Sequence, residues 1–222
     1  MSRAATSHEP RAPRINGVQE MSRDELLADL DWQGVAIADD LSHCDLAQLT
    51  AQGVRFTSAT LVGADLQQAR IIDSVFDGCD LSGARLDDGA LTRVEFRNCR
   101  LSGVQFNASR INDLRFVECR LDGASFRMAQ GERVWFDQCV LTEAEFTATE
   151  LTRAHFEHCD LTAADFSQAR IGDASLLGSV VEGVRGVGGL QRPIIDATQV
   201  VPFAYSLMAV HGVVVRTEGD GE

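Results

Sequence analysis

Six cysteines are the residues best suited to chemistry in this sequence, and five of them recur at a spacing of twenty residues. A thiolate metal site needs ligands that converge on one point, usually from close C-x-x-C pairs, and the sequence contains no such pair. Parallel side chains in one column also disfavour disulfides, whose S–S torsion is roughly ±90°. We therefore predict that all six are small buried core residues: Cys44, Cys79, Cys99, Cys119, Cys139 and Cys159.

Histidine and cysteine lie close together in the sequence at one place, which contains His155, His158 and Cys159. The two histidines fall on outward positions of a five-residue repeat and the cysteine on an inward one, so we do not expect a shared metal. No G-x-S-x-G or H-E-x-x-H motif occurs, and the complete absence of lysine excludes Schiff-base chemistry and a Walker A lysine. We predict no catalytic site, no metal and no cofactor, and hence a protein that is not an enzyme.

The repeat that would position these side chains has a period of five residues. From Leu41 to Val181, 27 of the 29 positions in that series are Leu, Ile, Phe or Val, and the exceptions are Ala51 and Gly131. The residue two positions earlier is nearly always small. A helix would space its apolar residues by three and four, and a strand by two, so neither ordinary element explains the pattern. A chain that turns a corner every five residues does explain it.

A second period of twenty residues indicates that four corners close one square coil. Residue i then lies above residue i+20, at about the ~4.8 Å spacing of neighbouring strands. Identical side chains form interior ladders that no single coil could bury alone. The predicted core ladders contain Leu81, Leu101, Leu121, Leu141 and Leu161, then Phe56, Phe76, Phe96, Phe116, Phe136 and Phe156, then Cys79, Cys99, Cys119, Cys139 and Cys159.

The repeat resembles that of the pentapeptide-repeat family, whose units read approximately A-(D/N)-L-x-x. The closest copies are Ala64-Asp65-Leu66, Ala163-Ala164-Asp165-Phe166 and Cys159-Asp160-Leu161. The resemblance implies an all-β solenoid, a right-handed quadrilateral parallel β-helix of about 7–8 coils over residues 36–186. No loop interrupts the phase between Asp39 and Ser179, so the chain looks most like the loop-less mycobacterial quinolone-resistance members, which interact with DNA gyrase as DNA mimics.

The two ends of the chain lack the five-residue repeat. We predict a disordered tail over residues 1–20. Ser22 and Glu25 fit a capping box that begins a short N-terminal capping helix within residues 21–35. Such a helix would cover the first open coil, because terminal units of repeat proteins must present a polar outer surface.

Residues 187–216 are predicted to form a C-terminal cap or dimerisation segment, followed by a disordered tail over residues 217–222. Thr198 fits a helix N-cap and Gly212 a helix end, after which we expect a short strand. The helix is too apolar to face water on all sides, and the segment resembles the ends of actinobacterial family members, which implies a two-fold homodimer. The residues expected to cover the last coil or contact a second copy are Val201, Phe203, Ala204, Leu207, Met208 and Val210.

Negative charge is concentrated on two adjacent faces of the predicted coil. The formal net charge of the chain is −13. Within residues 39–188, two neighbouring faces carry 13 acids and 5 arginines, whereas the other two carry 10 acids and 9 arginines. A one-sided acidic rod repels nucleic acid and attracts proteins with basic grooves. We call these two sides the acidic faces; their candidate interaction residues are Asp40, Asp45, Asp65, Asp80, Asp87, Asp88, Asp122, Glu143, Glu145, Asp160, Asp165 and Glu182.

Two functions remain open from the sequence. The resemblance implies a non-enzymatic rod that mimics DNA, inhibits or otherwise modulates DNA gyrase or another type II topoisomerase, and can thereby give quinolone resistance. The alternative is a structural or scaffold module that binds an unrelated protein. No apolar run approaches the roughly 20 residues that span a bilayer, and the N-terminus lacks a secretory signal, so we expect a cytoplasmic protein with no membrane or direct nucleic-acid partner.

Overall fold

The computed structural model describes residues 9–213, which form a parallel β-solenoid of about nine turns. The predicted quadrilateral β-helix is therefore confirmed. The strands are β1 (Gln19–Glu20), β2 (Asp31–Gln33), β3 (Val35–Ile37), β4 (Thr50–Gln52), β5 (Arg55–Thr57), β6 (Arg70–Asp77), β7 (Ala90–Arg97), β8 (Arg110–Val117), β9 (Gln130–Asp137), β10 (Glu150–Glu157), β11 (Arg170–Gly172) and β12 (Leu190–Gln191). The helices are α1 (Arg23–Ala28) and α2 (Val200–Val210), with 3-10 turns at Val187–Gly189 and Ala197–Gln199.

Strands β6 to β10 stack in a register of twenty residues. Phe76 pairs with Phe96, Phe96 with Phe116 and Phe116 with Phe136, so like side chains lie above one another. The remaining two sides of each turn are held by single parallel bridges such as Asp40 to Thr60. All strand pairs are parallel, because each turn adds one copy of the same path around the coil.

The interior of the coil is filled by the predicted Leu, Phe and Cys columns, whose side chains are all buried. Phe rings of neighbouring turns stack with centroids 4.1–5.0 Å apart. A second column of rings, which begins at Phe106, meets the first edge-on, for example at 6.1 Å from Phe116. Stacked and edge-to-face contacts are the two favourable geometries for aromatic pairs, so this narrow core is filled without a mismatch between turns.

The coil extends beyond the predicted range of 36–186 at both ends. Trp32 in β2 pairs with Ala51, and Gly172 pairs with Gln191, each at a separation of 19 residues. Ile194 forms the last bridge, to Ser175. Each terminal turn is one residue shorter than the others, so its inward residues fall outside the five-residue series in the sequence.

The N-terminal cap is shorter than predicted. The Ser22 and Glu25 capping box is present, but α1 ends at Ala28. The chain then enters β2, where the buried Trp32 indole Nε1 donates hydrogen bonds to the carbonyl oxygens of Leu26 and Asp29, at 3.0 and 2.8 Å. The tryptophan thus fixes the helix over the first turn.

The prediction of a disordered tail over residues 1–20 is wrong for residues 9–20. Strand β1 pairs with β3 in parallel, with Gln19 opposite Val35. Residues 9–18 continue along the outside of the coil and hydrogen-bond to it through the backbone. Tertiary contacts with buried carboxylates, which the five-residue pattern does not reveal, order this segment. Residues 1–8 lie outside the described part of the chain.

The C-terminal segment follows the last turn as a 3-10 turn and then α2. Thr198 is not the N-cap as predicted: Asp196 caps the 3-10 turn and accepts a hydrogen bond from the Thr198 N–H at 3.0 Å. Gly212, with φ near +69°, suits the end of α2. The expected short strand lies largely outside the described residues, as does the expected tail over 217–222. Within residues 9–213, no helix is long and apolar enough to cross a membrane.

Candidate protein-interaction surfaces

The twelve acids of the acidic faces are all exposed or half-buried. Those that precede the central apolar residue of a repeat also stabilise the corner of the coil. Asp80 Oδ1 accepts from the Ser82 N–H at 2.9 Å, and Asp160 Oδ1 from the Thr162 N–H at 3.0 Å. The Asp45 carboxylate makes the equivalent contact. An acid at this place therefore has a structural role in the turn in addition to its charge.

Five of the twelve acids pair with arginines of the same rod. The pairs are Asp65 and Asp87 with Arg85 at 3.9 and 3.8 Å, Asp122 with Arg120 at 2.8 Å, Glu145 with Arg127 at 3.5 Å, and Asp165 with Arg185 at 3.2 Å. The carboxylates of the other seven make no ion pair with arginine within residues 9–213, although Arg23 Nε donates to the Asp40 carbonyl oxygen at 2.9 Å and so lies near that carboxylate. The seven are Asp40, Asp45, Asp80, Asp88, Glu143, Asp160 and Glu182. These seven carry the negative charge that a partner can reach.

The acids do not form a continuous column along the rod. The bridges connect, one turn apart, Asp40, Thr60, Asp80, Arg100, Arg120, Val140, Asp160 and Val180. Two arginines thus separate the acidic ends of this column. The sequence shows the same division: the formal net charge is −6 for residues 36–91, +3 for residues 92–136 and −6 for residues 137–185. The acidic faces are two patches with a basic waist between them.

A ladder of ion pairs on another corner of the coil was not predicted from the sequence. We call Asp73, Arg93, Asp113 and Arg133 the corner ladder. Arg93 binds the two oxygens of Asp73 at 2.6 and 2.7 Å, and Arg133 binds those of Asp113 at 2.5 and 3.0 Å. Asp73 and Asp113 are buried. The alternation of Asp and Arg at a spacing of twenty was the sequence signal for these pairs.

Residues 9–18, which we call the strap, cross the corner ladder on the outside. The Arg14 N–H donates to Asp73 Oδ1 and the Arg11 N–H to Asp113 Oδ1, both at 3.0 Å. Each buried carboxylate thus receives one bidentate arginine from the coil and one backbone N–H from the strap. These contacts satisfy groups that would be costly to bury alone.

The same contacts keep both carboxylates ionised. The hydrogen bond from Arg93 lowers the pKa of Asp73 against the opposing effect of burial. Burial alone would raise the pKa of Asp113, but the Arg133 guanidinium and the Arg11 N–H together hold this pKa below its ordinary value.

Acidification is expected to release the strap. Arg93 and Arg133 already lower the pKa of each carboxylate without the strap, and the strap N–H lowers it further. The strap's contribution is therefore fully present above the pKa of the strap-free ladder, which lies below the ordinary value of about 4, and it is lost as the pH falls through the strap-bound pKa. Protonation of Asp73 and Asp113 should therefore expose the amides of Arg11 and Arg14, while core amides remain protected. Amide resonances followed by NMR during acid titration test this expectation; strap amides that stay protected until the whole rod unfolds would contradict it.

Comparison with known families agrees with the repeat. Residues 89–154 match the pentapeptide repeat region family, and residues 40–78, 61–98 and 136–176 match the family of pentapeptide repeats in eight copies. The matches together span residues 40–176 without a gap. The chain belongs to the pentapeptide-repeat family.

Solved pentapeptide-repeat proteins resemble the chain in fold. A trypsin-treated variant of QnrB1 is 21% identical with a TM-score of 0.51, and the match covers 89% of this chain and 96% of that one. Full-length QnrB1 is 20% identical with a TM-score of 0.46, over 82% and 97% of the two chains. HetL from Nostoc sp. strain PCC 7120 is 18% identical with a TM-score of 0.32, over 75% and 90%. No curated protein matches the sequence. At 21% identity, the likeness to the trypsin-treated QnrB1 variant shows the fold alone.

Five of the six cysteines of this pentapeptide-repeat protein form an interior column. All six are free thiols, and the five of the column are buried as predicted. The prediction is wrong for Cys44, which is only half-buried because it lies beside the Arg23 guanidinium at the edge of the coil. The Cys119 thiol donates to the carbonyl oxygen of Phe96 at 3.4 Å. Its hydrogen bond with Cys139, together with burial, raises the pKa of Cys119 to about 12. A thiol that stays protonated at neutral pH is a poor nucleophile and a poor metal ligand.

The histidines near Cys159 do not converge on it. The His155 ring lies against Trp135 with centroids 4.8 Å apart, and His155 Nδ1 is 3.6 Å from Glu157. His158 points to solvent, and its Nδ1 is 3.9 Å from Asp137. Across residues 9–213 no group of three or more His, Cys, Asp or Glu side chains could hold a metal ion.

Proposed function

We propose that the protein is a non-enzymatic rod that binds DNA gyrase or a related type II topoisomerase by mimicking DNA. The observation that carries this proposal is the set of seven arginine-free carboxylates on two adjacent faces of a β-helix. The family resemblance adds support, because QnrB1, which has the same fold, is a plasmid-mediated fluoroquinolone resistance protein. A cytoplasmic location would place the rod beside such a partner.

The imitation of DNA is partial. Residues 39–188, for which the charges on each face were counted, make about 7.5 turns, or ~36 Å at ~4.8 Å per turn. The 13 acids and 5 arginines of the acidic faces therefore give one net negative charge per ~4.5 Å, against one per ~1.7 Å for duplex DNA. We therefore infer that a basic groove engages the two acidic patches and leaves the basic waist with little contact. Exposed charges of this kind are screened over about 8 Å at physiological ionic strength, so binding should weaken strongly as salt rises.

Titration of purified gyrase with the full-length protein in a DNA supercoiling assay is the first test. We expect inhibition that grows with protein concentration and that weakens as salt is raised within the range that gyrase itself tolerates. Bovine serum albumin, another acidic protein, serves as the control for unspecific charge. A preparation that neither changes supercoiling nor binds gyrase directly would show that the proposal is wrong.

The basic waist favours a second candidate function, a scaffold that binds an unrelated protein. Arg100 and Arg120 lie exposed between Asp80 and Asp160. A surface of mixed charge complements a partner whose own surface carries both charges better than it complements the basic DNA-binding groove of a topoisomerase. Affinity capture from cell lysate separates the two functions. Recovery of another protein without gyrase would support the scaffold, and recovery of gyrase would support DNA mimicry.

We also propose that α2 pairs with α2 of a second copy in a two-fold homodimer. Phe203 anchors the helix on the last turn and is 6% exposed, whereas Val201, Tyr205, Met208 and Val210 are 63%, 57%, 42% and 50% exposed. Ala204 is half-buried and Leu207 is exposed. An apolar helix face of this kind needs a partner in water.

Charge on the outer side of α2 is expected to dissociate the dimer. Val201→Glu combined with Met208→Glu should halve the mass measured by analytical ultracentrifugation, because both charges would be buried between the two helices. Val180→Glu is the matched control, since Val180 is also exposed but lies on the coil. A wild-type protein that sediments as a monomer at all concentrations would rule out the dimer.

A further inference from the structure

The strap follows the rod with a regular spacing of three residues to every two turns. Arg14 meets Asp73 and Arg11 meets Asp113, two turns further along. In the other direction, Gly17 lies beside Gly34, two turns before Asp73. Three residues of polyproline II chain advance about 9.3 Å, and two turns of the coil about 9.6 Å, so the two repeats match.

The composition of the strap suits this match. Pro10 and Pro13 are half-buried three residues apart, as expected for one side of a polyproline II segment with three residues per turn. The residue after each proline supplies the N–H that reaches the ladder. Proline thus occupies positions 10 and 13, where no N–H is needed, whereas positions 11 and 14, whose N–H groups bind the carboxylates, are arginine.

The corner ladder does not depend on the strap for its geometry. Arg93 and Arg133 hold Asp73 and Asp113 in bidentate pairs that belong entirely to the coil. The strap adds one backbone N–H to each carboxylate, so its departure leaves neither charge unpaired. A site whose acceptors are fixed before the ligand arrives needs little reorganisation to bind it.

We propose that the corner ladder is a binding site for extended proline- and arginine-containing peptide segments, that the strap occupies it in cis, and that a segment of the same kind from another chain can replace the strap. The recognised pattern is Pro-Arg-x-Pro-Arg, in which the N–H groups of the two arginines bind the two carboxylates. Arg11 places its guanidinium 3.9 Å from Asp113, which favours arginine at that position. This site lies away from the acidic faces and does not depend on gyrase binding.

The test uses the full-length chain with its own strap disabled. Arg11→Pro combined with Arg14→Pro removes the two N–H groups but keeps the segment extended. A fluorescein-labelled peptide with the sequence of residues 8–17 is then titrated by fluorescence anisotropy. We expect the peptide to bind this variant at least tenfold more tightly than wild type, in which the tethered strap competes at an effective concentration on the order of millimolar.

Two controls make the result specific to the ladder. Ala12→Pro changes an exposed residue whose N–H has no hydrogen bond within residues 9–213, and this variant should bind the peptide as weakly as wild type. A labelled peptide with proline in place of both arginines should bind none of the proteins. The proposal is overturned if the strap-disabled variant binds no better than wild type, or if the proline-substituted peptide binds as well as the original.

Discussion

Replacing Asp45, Asp80 and Asp160 with asparagine is expected to weaken inhibition of DNA gyrase at least tenfold. These acids belong to the seven without an arginine partner in the described chain, so their full charge is available to a basic groove. An exposed ion pair contributes about 0.5 kcal/mol, and three of them give about the 1.4 kcal/mol that corresponds to a tenfold change. The concentration for half-inhibition in the supercoiling assay measures the effect, and the salt dependence should become shallower.

Asparagine is the informative replacement because it removes the charge and keeps the turn. Its Oδ1 can still accept the N–H two residues on, the contact that Asp45, Asp80 and Asp160 make at 2.9–3.1 Å. Arginine would reverse the charge but also remove this acceptor, so a lost activity would have two explanations.

A control variant with the same net charge identifies which faces matter. Asp77→Asn, Glu118→Gln and Glu150→Gln neutralise three exposed acids on the other two faces of the coil, of which Glu150 is paired with Arg170 at 3.1 Å. We expect this variant to inhibit gyrase like wild type. If both triple variants lose the same amount of gyrase inhibition, only the overall charge matters. If the Asp45, Asp80 and Asp160 variant still inhibits gyrase like wild type, the acidic faces do not mimic DNA.

The sequence predicts the inside of this protein well because each turn repeats the same inward positions. The exceptions to the repeat are explained only by the structure. Gly131 interrupts a column of large apolar residues, and a β-carbon there would overlap the carbonyl oxygen of Ile111. No pattern in the sequence reports so close an approach of two backbones.

The outside of the protein was less predictable for a physical reason. Counting charges by face treats Asp73 and Asp113 as two more surface acids, yet they are 7% and 3% exposed. The strap covers them, and its spacing of three residues does not appear in the five-residue repeat of the coil. The same counting includes Asp65 and Asp165 in the acidic faces, although each has an arginine one turn away. Which charges remain available depends on neighbours twenty residues apart.

Phe116→Ala is expected to lower the free energy of unfolding by about 3–5 kcal/mol, the usual cost of emptying a buried Phe site. The ring stacks between Phe96 and Phe136, at 4.9 and 4.8 Å, and meets Phe106 and Phe126 edge-on. The other rings are held by their own turns and cannot close the gap. Guanidinium unfolding followed by far-UV circular dichroism measures the loss.

Met128→Ala is the matched control for this substitution. Met128 is 55% exposed, and Ala108 and Ala148 occupy the same column in the adjacent turns with nearly the same φ, 55° and 56° against 57°. We expect its effect to stay within about 0.5 kcal/mol. A loss below about 1 kcal/mol for Phe116→Ala would show that the ring ladder does not dominate stability. Because each turn contacts only its neighbours, a gap at Phe116 should also weaken the coupling between the two halves of the rod. If the halves then unfold separately, the free energy of unfolding will fall less steeply with denaturant concentration.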